Sequence, residues 1–81
     1  MTERFIIYGR SSCAFCIHAA DLCSAKKAEY LFLDYEEKRE ILEDYKQFYE
    51  QATVPIILVN NLDTGLTKKV GGYTDLLDYV K

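Results

Sequence analysis

The sequence predicts an α/β protein of order β-α-β-α-β-β-α, with a four-stranded mixed sheet flanked by helices. Three observations predict it. Apolar runs recur at Phe5-Ile6-Ile7-Tyr8, Tyr30-Leu31-Phe32-Leu33 and Ile56-Ile57-Leu58-Val59. Apolar residues at helical spacing lie between the runs. After the third run comes Asn60-Asn61-Leu62-Asp63-Thr64-Gly65, dense in turn formers, which predicts a hairpin.

Phe5 to Tyr8 is too continuously apolar for a half-exposed strand, so a central strand buried on both faces is expected. Gly9 breaks it, and Arg10-Ser11-Ser12 connects to a helix over about residues 14–27, with Ser12 as the expected N-cap. Tyr30 to Leu33 reads as a second buried strand. A helix fills the connection, so the two strands should run parallel through a right-handed crossover.

A second helix is expected over roughly residues 37–51. Ile41, Leu42, Tyr45, Phe48 and Tyr49 mark one apolar face, and Glu36 and Glu37 near the start suit the helix dipole. Thr53-Val54-Pro55 leads into the third strand, and Leu66 to Val70 forms the fourth. Gly71-Gly72 ends it. Thr74 or Asp75 can cap a last short helix running through Val80.

The 81 residues suggest a single domain, with a modest core. Net charge is -3, with both signs interspersed, and Lys68-Lys69 is too short a basic cluster for nucleic acid to be the partner. No stretch approaches the ~20 apolar residues that cross a bilayer. Met1-Thr2-Glu3-Arg4 does not resemble a signal peptide, so a cytoplasmic protein is expected. Thiols are kept reduced there, and three cysteines fit poorly with a disulfide-stapled scaffold.

Cys13 and Cys16, separated by two residues, fall at the predicted strand-to-helix turn. In a strand-helix-strand chain this spacing reads as a thiol-disulfide redox motif. The thiolate is the reactive form. Unpaired N–H groups and the helix dipole favour it at Cys13, and Arg10 adds positive charge nearby. Cys16, one turn deeper, has fewer N–H groups facing it. Cys13 is therefore the candidate nucleophile and Cys16 the candidate resolving thiol. Two other readings compete: small core residues at i, i+3, or a metal site with His18 and Cys23. Structural zinc sites bring ligand pairs from separated segments, whereas these four share one helix, with His18 about 200° around it from Cys16. Cys23 reads as a small core side chain and His18 as a solvated one. No metal is expected.

At this point the chain resembles a glutaredoxin, of the thioredoxin-like fold. Cys13-Ala14-Phe15-Cys16 matches the family's Cys-Pro-Tyr-Cys, Thr53-Val54-Pro55 its Thr-Val-Pro, and Gly71-Gly72-Tyr73-Thr74-Asp75 its Gly-Gly-x-x-Asp turn. The resemblance covers nearly the whole chain. It implies that residues 1–81 form one glutaredoxin domain, a redox-active Cys13-Cys16 disulfide, a cis bond before Pro55, and glutathione as reducing cosubstrate in a groove beside Cys13.

By the same resemblance, Arg10 pairs with the glycine carboxylate of glutathione, and Gln51 hydrogen-bonds it without adding charge. Phe15 gives apolar contact. Val54, before Pro55, offers its backbone to the cysteinyl unit like an added strand. Thr74 and Asp75 hold the γ-glutamyl end through backbone N–H groups and a carboxylate. Expected partners are glutathione and disulfide-bearing or glutathionylated proteins, with ribonucleotide reductase a suggested client, and the protein is expected to be a monomer. Ala14 departs from the family's proline, with an effect on the thiol of unpredictable sign. Two alternatives are a redoxin recharged by a flavoprotein reductase, and an iron-sulfur or zinc carrier. The usual cluster carriers retain one motif cysteine, so Cys16 counts against the second.

Overall fold

The structure, a computed structural model, describes residues 2–81. Four strands and three helices follow the expected order: β1 Glu3–Gly9, α1 Ala14–Ala25, β2 Glu29–Asp34, α2 Arg39–Phe48, β3 Ile56–Asn61, β4 Thr67–Gly71 and α3 Tyr73–Tyr79. The sheet order is β2-β1-β3-β4. β1 runs parallel to β2 and antiparallel to β3, and β3 pairs antiparallel with β4.

β1 and β3 are therefore central. Alternate residues of a strand face opposite sides of the sheet. Phe5, Ile7, Ile57 and Val59 point to one side, where they pack with Ala19 and Cys23 of α1 and Leu76 of α3. On the other side Tyr8 stacks on Tyr45 of α2 at 4.4 Å, so α2 covers that face. Each fully buried aliphatic side chain here removes apolar surface worth about 1.5–3 kcal/mol from water.

Several expectations are corrected. β2 is an edge strand, not a buried one: it pairs with β1 alone, and Leu31 is 48% exposed. Phe48 does not join the buried face of α2. It is the last helical residue, 76% exposed, and packs edge-on against Tyr49.

Both long helices stop short of the expected ends, for one physical reason. Lys27 and Glu50 adopt left-handed backbone, with φ of 57° and 54°. Each reversal closes two hydrogen bonds onto its helix. Ala28 N–H donates to Cys23 O and Lys27 N–H to Ser24 O, while Gln51 N–H donates to Lys46 O and Glu50 N–H to Gln47 O. This left-handed stop usually takes glycine, so the sequence carries no conventional signal for either.

The caps also differ. Cys13, not Ser12, is the N-cap of α1, and its Sγ accepts from the N–H of Cys16 at 3.3 Å. Gly72 is the N-cap of α3; Asp75, inside the helix, reaches back to accept from Gly72 N–H at 2.9 Å. The acidic residue in the first turn of α2 is Glu40, and Glu36 and Glu37 lie before the helix.

Candidate active site

β1 ends at Gly9 beneath the start of α1. A β carbon at Gly9 would lie 2.6 Å from Cys16 Sγ and 2.9 Å from Cys16 Cβ, so only glycine admits the cysteine this close. The link to α1 is tied down from β2. Ser11 N–H donates to Asp34 Oδ1 at 3.0 Å, and Ser12 N–H donates to Glu36 Oε1 at 2.9 Å. Arg39 pairs with Glu36. Hydrogen bonding from Ser12 and Arg39 holds the Glu36 carboxyl at about 2, well below its usual range. Cys13 N–H donates to Arg10 O at 3.1 Å and closes the turn.

The two thiols of the turn are unequal. Cys13 is half-buried and Cys16 fully buried. Burial, then the hydrogen bond with Cys13, pushes the Cys16 thiol up to about 12. Burial alone pushes Cys23 to about 11. The Cys16 N–H aimed at Cys13 Sγ supplies a donor at the sulfur where a thiolate is useful.

A groove of about 700 Å³ opens beside this turn. Phe15, Gln51, Val54, Pro55, Thr74 and Asp75 all line it, bringing together six of the residues singled out in the sequence from four separate segments. The Val54–Pro55 peptide is cis. Phe15 is 59% exposed, so its ring faces outward rather than into the core. Gly71, at φ +123°, and Gly72 let the chain turn from β4 into α3 against Asp75. A β carbon on Gly72 would lie 4.0 Å from Pro55 O, in ordinary contact across the groove.

Two expected contributors sit differently. Arg10 does not line the groove, whose wall begins at Phe15 and so leaves out Cys13 as well. Gln51 lines it, but its Nε2 donates to Thr53 O at 2.9 Å and Pro55 O at 2.7 Å, so both amide hydrogens hold the proline loop.

Other site residues escaped the sequence reading. Tyr73 and Lys69 line the groove. Tyr73 sits 5.9 Å from both Phe15 and His18, and His18 is exposed, as expected. Tyr73 lies within the quoted Gly-Gly turn, and that was its available signal. Lys69 has none, since a strand lysine reads as an exposed edge residue. Among the described residues, no group of three or more His, Cys, Asp or Glu side chains is placed to hold a metal ion. No helix there is long and apolar enough to cross a membrane.

A mixed sheet of this topology, with a Cys-x-x-Cys pair opening the first helix beside a cis proline, defines a thiol-disulfide oxidoreductase of the thioredoxin-like class. The glutaredoxin family model matches residues 5–62. Glutaredoxin 1 of Escherichia coli is 32% identical over 83 aligned positions, which cover 94% of this chain and 91% of the relative. The chain belongs to the glutaredoxin family. In structure it is similar to wheat glutaredoxin, at a TM-score of 0.76 and 22% identity over 91% of this chain. It is also similar to buckwheat glutaredoxin, solved as a glutathione complex, at 0.72 and 18% over 94% of this chain. It spans 66% of the length of each plant chain.

Proposed function

We propose that residues 1–81 work as one domain, a glutathione-dependent reductase of protein disulfides and glutathione mixed disulfides. The observation that carries the reading is the inequality of the two thiols, in a motif whose Phe15 lines the groove. Cys13 is accessible and receives a backbone N–H, while Cys16 is buried and strongly disposed to stay protonated. The buckwheat relative, which binds glutathione, supports the choice of tripeptide.

In the proposed cycle, the Cys13 thiolate bonds to one sulfur of a substrate disulfide. The substrate S–S bond breaks, and its other sulfur leaves as a thiolate that takes a proton from solvent. Cys16 loses its proton to solvent as it attacks Cys13 Sγ. The reduced substrate leaves, and the Cys13-Cys16 disulfide remains. A glutathione thiolate then bonds to Cys13 and expels Cys16, which is reprotonated. A second glutathione attacks the first at sulfur, releasing glutathione disulfide and the Cys13 thiolate. On a glutathionylated substrate Cys13 takes the glutathione itself, and Cys16 is dispensable.

Val54 and Pro55 would present backbone to the cysteinyl unit, and the N–H groups opening α3 would face the γ-glutamyl end. Burial of Cys16 raises its thiol, so resolution should be faster at higher pH. We propose a monomer acting in the cytoplasm, where glutathione is the prevailing reductant, and ribonucleotide reductase as the first protein client to try.

The test is glutathione-dependent reduction of a small mixed disulfide. Wild type and Cys16→Ser should turn over, and Cys13→Ser should be inactive. Turnover with a flavoprotein thioredoxin reductase and none with glutathione would overturn the proposal.

A further inference from the structure

Among the described residues lining the groove, Lys69 is the cation and Asp75 the anion. Lys69 Nζ donates to Tyr49 O, the C-cap carbonyl of α2, at 2.7 Å. A helix C-terminus carries partial negative charge, so the ammonium group is held there. One of its three donors is used, and two remain for a ligand. Among the other polar groups lining this part of the groove, the Gln51 amide is committed. The amide hydrogens of Gln51 go to Thr53 O and Pro55 O, and Arg10, like Cys13, lies outside the lining of this part of the groove. Lys68 does not line the groove either, since its Nζ lies 4.9 Å over the Tyr79 ring.

We propose that Lys69 is a binding residue of this groove, and that its ammonium group takes one of the two carboxylates of glutathione. The proposal rests on the glutathione reading above and adds a cation from β4 to that site. Because Tyr49 O already holds the side chain, little freedom is lost when the carboxylate arrives. Lys69 touches no reacting atom, so its effect falls on KM and not on kcat.

The experiment measures KM and kcat for glutathione in mixed-disulfide reduction by wild type, Lys69→Met, Lys69→Arg and Lys68→Met. Lys69→Met should raise KM about three- to fivefold, the scale of a partly exposed ion pair, with kcat nearly unchanged. Lys69→Arg should restore KM, and Lys68→Met should match wild type. Two analogues identify the carboxylate. In one the glycine carboxylate is esterified, and in the other γ-aminobutyrate replaces the γ-glutamyl unit. With the analogue lacking the partner carboxylate, wild type and Lys69→Met should become equal.

Wild-type KM in Lys69→Met, with glutathione turnover intact, would overturn the assignment and leave the glutathione reading standing. The same KM penalty with glutathione and both analogues would overturn it too, because Lys69 would then act by shaping the groove. If wild type does not use glutathione at all, both readings fall.

Discussion

Gly9 and Cys16 meet so closely that a β carbon on Gly9 would stand 2.6 Å from the cysteine sulfur. The last residue of β1 is thus a seat for the second thiol of the motif. Gly9→Ala forces the start of α1 away from the sheet, an overpacking that should cost about 1–3 kcal/mol. Urea unfolding measures that loss. Closure of the Cys13-Cys16 disulfide, followed by stopped-flow fluorescence or quenched labelling, should slow in parallel. A variant with wild-type stability and closure rate would show that the approach is not constraining.

The three cysteines should separate in reactivity. Burial, first among the causes, pushes Cys16 to about 12 and Cys23 to about 11, so neither is an accessible thiolate near neutral pH. Brief iodoacetamide treatment of the reduced, folded protein should modify Cys13 alone. Unfolding before treatment should expose all three. Peptide mapping by mass spectrometry reads the outcome, and labelling of Cys16 as fast as Cys13 would contradict the burial argument.

Glu36 ties the Cys13 turn to the sheet edge, and its carboxyl is held at about 2 against an ordinary 4.5. A depressed carboxyl stabilises the fold fully above its unfolded pKa, and that contribution is lost as pH falls through the folded value. Stability should therefore decline between about pH 4.5 and about pH 2. Glu36→Gln should flatten that part of the profile. Urea midpoints across the range decide it, and an unchanged slope in the variant would remove Glu36 from the account.

Lys27 and Glu50 hold left-handed backbone with a β carbon in place. Lys27→Gly and Glu50→Gly should each relieve about 1 kcal/mol of strain, offset in part by the greater chain entropy of glycine when unfolded. A small rise in thermal midpoint is expected for each, with the paired hydrogen bonds intact. A clear fall in both would mean that the lysine and glutamate side chains carry contacts outweighing the strain.

The order of elements was legible because buried strands and amphipathic helices leave different periods in the sequence. The apolar run of β3 could be read directly, since it is covered on both faces. β2 misled because its run is equally apolar. Its place at the sheet edge depends on which strand β1 pairs with on its far side, and nothing within Tyr30 to Leu33 encodes that. The helix ends misled because Lys27 and Glu50 occupy a backbone region for which glycine is the usual marker.

By itself, the sequence determined the spacing of Cys13 and Cys16, the break after β1 and the residues of the proline and Gly-Gly turns. These are local matters, carried by residue type and short separations. The tertiary structure decided what each thiol experiences. Cys16 is buried because Gly9 leaves it room, and the turn before Cys13 is held by the Asp34 and Glu36 carboxylates, which accept from Ser11 and Ser12 N–H. It also decided that Lys69, an undistinguished strand lysine, lines the groove while Arg10 does not. Both outcomes depend on contacts between segments far apart in the chain, and burial and charge environment arise only from such contacts.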